Sequence, residues 1–271
     1  MTPTAVVEYH DVDAGSFAGI VAAYRPAILR GAVADWPAVR AALSGPEQAC
    51  AYLMGFDQGH PVDAILMAPE EKGRIFYQDD MQGFNFARTK QSLSRVIEQV
   101  ARYSQFARAP AVAAQSALLD ECLPGFAEQH RLPLLEATVR PRIWLGNEVV
   151  TPAHFDESNN LACVVSGKRR FTLFPPEQVG NLYLGPLDFA PTPTPISMVS
   201  FRQPDFARFP RFRDALAHAQ VADLAPGDVL YIPTLWWHHV ESIGALNILV
   251  NYWWPGSSPT GATKMSILAQ A

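Results

Sequence analysis

The run Thr151-Pro152-Ala153-His154-Phe155-Asp156 sets a histidine and an aspartate two positions apart. In an extended strand, residues i and i+2 face the same side, so His154 and Asp156 can present an imidazole nitrogen and a carboxylate oxygen to one point. An isolated H-x-D is common and carries little alone. It gains weight from the downstream run Trp236-Trp237-His238-His239-Val240-Glu241-Ser242, a second stretch with the texture of a strand. Two histidines and one carboxylate on a rigid β scaffold occupy one face of an octahedron and leave three positions open. That is the donor set of non-haem Fe(II) oxygenases. Zinc accepts the same donors, so residue type leaves the metal undecided. Adjacent strand residues face opposite ways, so only one of His238 and His239 can join the pair, and spacing does not say which. His10, His60, His130 and His218 stand outside any ligand spacing and read as surface or hydrogen-bonded core residues.

The elements that must position these groups fall into two textures. From Pro141 onward, short strands follow one another at 142–147, 151–157, 161–167, 169–175, 196–201, 228–233, 237–243 and 245–254, punctuated by proline, glycine and asparagine. This is the pattern of an antiparallel barrel or jelly roll. Upstream, 14–24, 35–45 and 89–103 read as helices, and 26–31 and 73–78 as strands. Leu93, Val96, Ile97 and Val100 fall at helical spacing, which predicts one apolar stripe turned to the core. The stretch 202–227 is too long for a hairpin and is expected to carry a short helix. Asp228 is expected to fix its turn through the backbone, and Tyr231 and Trp236 to be aromatic core. The expected organisation is a single domain over 1–271, with an α/β elaboration at 1–140, the core barrel at 141–254 and a tail at 255–271 that could form an amphipathic turn or two.

Composition narrows the function classes. With 271 residues, 49% hydrophobic and 17% charged, the chain can bury a sizeable core and is neither disordered nor a coiled coil. A net charge of −5 gives no basic footprint for nucleic acid. The three cysteines, Cys50, Cys122 and Cys163, are scattered, which is neither a disulfide framework nor a zinc-finger spacing. No apolar run is long enough for a transmembrane helix, and the N-terminus lacks a signal-peptide pattern, so a cytoplasmic protein with no membrane partner is expected.

The segments IWLGNEVVTPAHFDESNNLACVVSGKRRFTLFPPEQ, PDFARFPRF and LAPGDVLYIPTLWWHHVESIGALNILVNYWW, in that order, resemble the JmjC, cupin-like family of 2-oxoglutarate-dependent oxygenases. They are most similar to the branch holding the asparaginyl hydroxylase that acts on hypoxia-inducible factor, and RPAILRGAVADWPA is similar to that family's opening motif. The resemblance implies a mainly β fold, a double-stranded β-helix (jelly-roll or cupin barrel) with flanking helices. It implies Fe(II) held by His154, Asp156 and His239, the second histidine of WWHH, and 2-oxoglutarate as co-substrate. By position, Thr151 and Arg169 match residues that hold the distal carboxylate. Asn160 and Asn251 match polar residues beside the co-substrate, and Trp253 an aromatic wall near the metal.

Two departures stand out. Arg169 replaces the family's usual lysine, and arginine can still grip a carboxylate through its fork. No tyrosine lies at 107–126, where relatives often place one, leaving Gln115 or Ser116 as substitutes. Lys168 and Arg170 are expected to face solvent. The implied activity is hydroxylation of a protein side chain or a small molecule. The alternatives are a metal cupin enzyme without 2-oxoglutarate and a non-catalytic binding module. Segments 72–90 and 181–210 are where substrate contacts are expected. The branch often forms homodimers through C-terminal helices; here any such helix is short.

Overall fold

The structure is a computed structural model that describes residues 3–256. The expected C-terminal turn and any dimer helix fall at 257–271, outside the described residues.

The chain opens with β1 (Thr4–Ala5), β2 (Val7–Tyr9), α1 (Ala14–Ala22), β3 (Ala27–Leu29), α2 (Pro37–Ser44) and α3 (Pro46–Met54). It continues through β4 (Pro61–Met67), β5 (Ala87–Ser92), α4 (Leu93–Tyr103), β6 (Ala111–Leu118), α5 (Leu119–Cys122) and α6 (Phe126–Gln129). The remainder is mainly strand apart from the stretch between β9 and β10: β7 (Pro141–Gly146), β8 (Val150–His154), β9 (Asn159–Phe174), α7 (Phe212–Ala217), β10 (Gln220–Leu224), β11 (Val229–Ile232) and β12 (Trp237–Trp254).

Local chemistry sets the helix starts. Asp13 and Ser16 form a reciprocal capping box on α1, with the Asp13 carboxylate accepting from the Ser16 amide at 2.8 Å. Ser92 caps α4, whose Leu93, Val96, Ile97 and Val100 are all buried as the spacing predicts. The stretch read as one helix over 89–103 is in fact strand to Ser92 and helix beyond it.

Two long strands organise the sheet. β9 and β12 pair antiparallel over nearly their whole length. The first half of β9 also pairs with β11 and its second half with β10, while β12 pairs with β8 early and β7 late. Each long strand therefore bends and serves both layers, closing a cupin-type jelly roll. The corner falls at Gly167 (φ +75°), where a Cβ would stand 2.3 Å from Asn247 Oδ1, so only glycine fits. Val6, Ile28, Val164, Leu173, Leu224 and Leu230 pack the closed part of the barrel interior. The helices α1–α4 cover the outer face of the larger layer.

One boundary differs from the sequence reading. The elaboration is not separate from the barrel sheet: β6, β4 and β5 continue it outward from β7, in the order β12-β7-β6-β4-β5. The stretch 73–78 makes only isolated bridges, Arg74 with Val150 and Tyr77 with Phe84. Asp228 anchors its turn as expected, its carboxylate accepting from the amides of Gly31 and Ala225 and pairing with Arg30 at 2.6 Å.

Candidate metal centre

β8 ends on His154, and β12 begins opposite it, with His154 and His238 as direct register partners. Their rings stand 4.3 Å apart. Asp156 follows two residues beyond His154, and its Oδ2 lies 3.7 Å from His238 Nε2. One donor atom from each of His154, Asp156 and His238 lies within 4.8 Å of the other two, a spread that a single ion can bridge.

Second contacts fix the tautomers. His154 Nδ1 is 2.9 Å from the Pro152 carbonyl and His238 Nδ1 is 3.0 Å from the Trp236 carbonyl. A carbonyl only accepts, so each Nδ1 carries the hydrogen and each Nε2 keeps its lone pair free. Burial, with His238 beside it, pulls the His154 imidazole well below its ordinary pKa. The neutral ring is the form that binds a metal.

Asp156 is held by its own network. Trp253 Nε1 donates to Asp156 Oδ2 at 3.0 Å, and Asn160 Nδ2 donates to the same oxygen at 3.4 Å. Asn251 Nδ2 donates to Asn160 Oδ1, and Trp144 Nε1 donates to Asn251 Oδ1 at 2.9 Å. Thus the amides of Asn160 and Asn251 are locked in orientation by a chain that starts at an indole and ends at the carboxylate.

His239 is not part of this cluster. The resemblance assigns it as the third ligand, but the β12 backbone turns it to the opposite face, where it stacks on Phe201 at 4.3 Å and faces Glu241 at 3.7 Å. Strand alternation is the reason: His238 and Val240 share the barrel interior, His239 and Glu241 the outside. His238 takes the place expected of His239.

The donors open into a cavity of about 510 Å³ inside the barrel. Thr151, Asn160, Arg169, Asn251 and Trp253, the residues expected to hold a co-substrate, all line it. Ala162, Phe171, Val240 and Leu249 belong to both the packed cluster and the cavity wall, so the cavity is the unfilled part of the barrel interior. Arg169 is 9% exposed, pairs with no carboxylate among the described residues, and leaves its Nε without a partner. Burial lowers its pKa to about 10, below the ordinary guanidinium range. Its neighbours take the opposite face: Lys168 is exposed and Arg170 pairs with Asp223 at 2.7 Å.

Segments 72–90 and 181–210 send Ile75, Arg88, Pro191, Thr192 and Pro193 to the cavity wall. Gln115 and Ser116 also reach it, from a bulge in β6 where Ser116 has φ +49°. Sequence reasoning passed over Arg142 and Trp144. Their alternation with the buried Ile143 and Leu145 was the available signal. His130 is a satisfied core residue, its Nδ1–H donating to the Phe126 carbonyl and its Nε2 accepting from the Ala38 amide. Tyr231 and Trp236 are buried, as expected of aromatic core.

A model of the cupin-like domain matches residues 14–259. HSPB1-associated protein 1 of Homo sapiens is 39% identical over 113 residues, which cover 41% of this chain and 22% of that protein. The lysine-specific demethylase JMJ31 of Arabidopsis thaliana is 34% identical over 112 residues, covering 41% and 20% respectively. Jumonji C domain-containing protein 5 of Drosophila melanogaster is 28% identical over 176 residues, covering 65% of this chain and 41% of that one. The chain thus spans between about a fifth and two fifths of the relatives it matches. A jelly roll whose interior cavity is lined by two histidines and an aspartate, matched by this model over most of its length, belongs to the cupin-like JmjC family.

Proposed function

We propose that the protein is an Fe(II)- and 2-oxoglutarate-dependent oxygenase that hydroxylates a protein side chain or a small molecule. Members of the family are typically 2-oxoglutarate oxygenases or demethylases that use Fe(II). One observation carries the reading for this chain: a single cavity holds the donors of His154, Asp156 and His238 together with a buried guanidinium that has no protein counter-charge. Buried charges are normally paired, so an unpaired one in a cavity wall marks the place of an anionic ligand. A dicarboxylate answers both features, one end at the metal and the other at Arg169.

When bound, Fe(II) would supply the activation of oxygen, by which 2-oxoglutarate, oxygen and substrate become succinate, carbon dioxide and hydroxylated substrate. His154 and His238 contribute Nε2 lone pairs, their rings aimed by backbone carbonyls. Asp156 contributes its carboxylate, and Trp253 and Asn160 keep its Oδ2 from swinging away. Arg169 and Thr151 anchor the distal carboxylate, and the apolar wall of Ala162, Phe171, Val240 and Leu249 keeps water from its stem. The test is calorimetric titration with Mn(II), then with 2-oxoglutarate, followed by assay of 2-oxoglutarate decarboxylation with Fe(II) in air. Metal binding without 2-oxoglutarate binding overturns the reading in favour of a metal cupin that uses no oxo acid. No metal binding leaves a binding module.

A further inference from the structure

The cavity wall carries more positive charge than metal and co-substrate require. Three guanidinium groups and two carboxylates line it: Arg88, Arg142 and Arg169 against Asp63 and Asp156. On the reading above, Asp156 is committed to the metal and Arg169 to the distal carboxylate. That leaves Arg88 and Arg142 facing Asp63 alone. None of these three makes an ion pair among the described residues.

Arg142 is held in a built setting rather than trailing into solvent. It is half-buried at the start of β7, and its Nη1 donates to the Ser116 carbonyl at 2.8 Å. That carbonyl is turned inward by the β6 bulge, at a residue whose left-handed φ of +49° costs backbone energy. The guanidinium lies 5.8 Å from the centre of the Trp253 ring, and Trp253 in turn donates to Asp156. Arg142 is therefore one indole away from the metal-binding carboxylate. Arg88 donates to the Pro191 carbonyl at 3.3 Å, and both residues line the cavity. Each arginine uses part of its fork on a neutral oxygen and keeps the rest of its donors for something else. Arg142 also stands where the cavity meets a second hollow of about 690 Å³ that shares Asp63, Gln115, Ser116 and Arg142 with it.

We propose that Arg142, assisted by Arg88, determines substrate specificity by binding a carboxylate that the primary substrate carries beside the carbon to be oxidised. The inference rests on the oxygenase reading and names the chemistry of its substrate: an acidic group, in an acidic peptide or in a small organic acid. A guanidinium fork matches a carboxylate bidentately, and no step of the co-substrate chemistry uses these two residues.

The test uses the whole chain, with and without saturating Mn(II) and 2-oxoglutarate, titrated calorimetrically with three probes. These are the capped tripeptide acetyl-Gly-Asp-Gly-amide, its Asn counterpart, and N-acetyl-aspartate as the small acid. At least one acidic probe is expected to bind about tenfold or more tightly than the Asn peptide, the worth of one charge-assisted contact. Arg142→Met should erase that preference and Arg142→Lys keep part of it, while affinities for Mn(II) and 2-oxoglutarate stay within about twofold. Which acid is preferred tells peptide from small molecule. Equal binding of acid and amide by the wild type overturns the proposal. So does an Arg142→Met variant whose 2-oxoglutarate affinity falls as far as that of Arg169→Met, because Arg142 would then belong to the co-substrate. Failure of the wild type to bind 2-oxoglutarate defeats the oxygenase reading instead. The acid-to-amide ratio of Arg142→Met against Arg169→Met then decides which arginine reads the anion.

Discussion

Replacing Arg169 with methionine should raise the stability of the ligand-free protein while removing the response to 2-oxoglutarate. Burial alone lowers the Arg169 pKa to about 10, well below the ordinary guanidinium range, which at about 1.4 kcal/mol per pH unit corresponds to roughly 3 kcal/mol of lost hydration. No carboxylate offsets it, since the described residues give Arg169 no ion pair and its Nε has no hydrogen-bond acceptor. Methionine retains most of the apolar stem and places no charge in the wall, so the ligand-free variant should gain about 1–3 kcal/mol. For a chain of this size that is a rise of about 2–4 °C in melting temperature for each kcal/mol.

The ligand response moves the other way. At a hundred times its Kd, a ligand adds about 2.7 kcal/mol of stability. Loss of a charge-assisted fork should weaken 2-oxoglutarate by at least about tenfold and remove much of that gain. Thermal melts of wild type and Arg169→Met with Mn(II), each with and without 2-oxoglutarate, give four numbers. A variant that melts lower than wild type without 2-oxoglutarate refutes the argument that the charge is uncompensated. A variant that keeps the full 2-oxoglutarate shift refutes the placement of the carboxylate.

His238→Ala should abolish Mn(II) binding by calorimetry and His239→Ala should retain it; the reverse result would return the third ligand to the outer face of β12. Trp253→Phe removes the stronger hydrogen bond to Asp156 Oδ2 and should weaken Mn(II) about 10- to 100-fold, whereas unchanged affinity would make the indole simple packing. Burial lowers the pKa of His130 below its ordinary 6.5, so the folded ring stays neutral where the unfolded chain takes up a proton. Its contribution is therefore full above about pH 6.5 and declines as the pH falls below it, by at most about 1.4 kcal/mol per unit. Denaturant titrations at pH 7.5 and 5.5 should show a smaller acid loss in His130→Gln than in wild type; equal losses would discount the ring.

Much of the barrel is legible because its strands carry their own punctuation. Asn159–Phe174 and Trp237–Trp254 read as pairs of strands, and only the corner at Gly167 and the register shift after Ile243 join them into bent single elements. The outer extension was not legible. Ala87–Ser92 is a polar strand with no alternation, and Ala111–Leu118 is rich in alanine, so neither has the β-branched signature of a strand. At the site, period two suggests His154 and Asp156 as a pair, and the downstream histidines give that pair its weight. The choice between His238 and His239 does not, because both sit among buried apolar neighbours. The deciding fact is the register of His238 against His154, a pairing between distant segments that no local pattern encodes. Arg169 was legible through motif position, and its lack of a partner only through the folded cavity.

The bent pair β9 and β12 also governs when the site comes into being. Trp253 and Asp156 are 97 positions apart, and Trp144 and Asn251 are 107 apart, yet each pair must touch before the carboxylate is oriented. Contacts of such high order form after costly loop closure, which places this chain among slow folders with relaxation on the millisecond-to-second scale. Without β12, His154 and Asp156 supply two of the three clustered donors, and His238 is the third. On the proposed reading, the three donors come together only once β12 has paired with β8, so loss of that pairing should cost the ion as well as the fold.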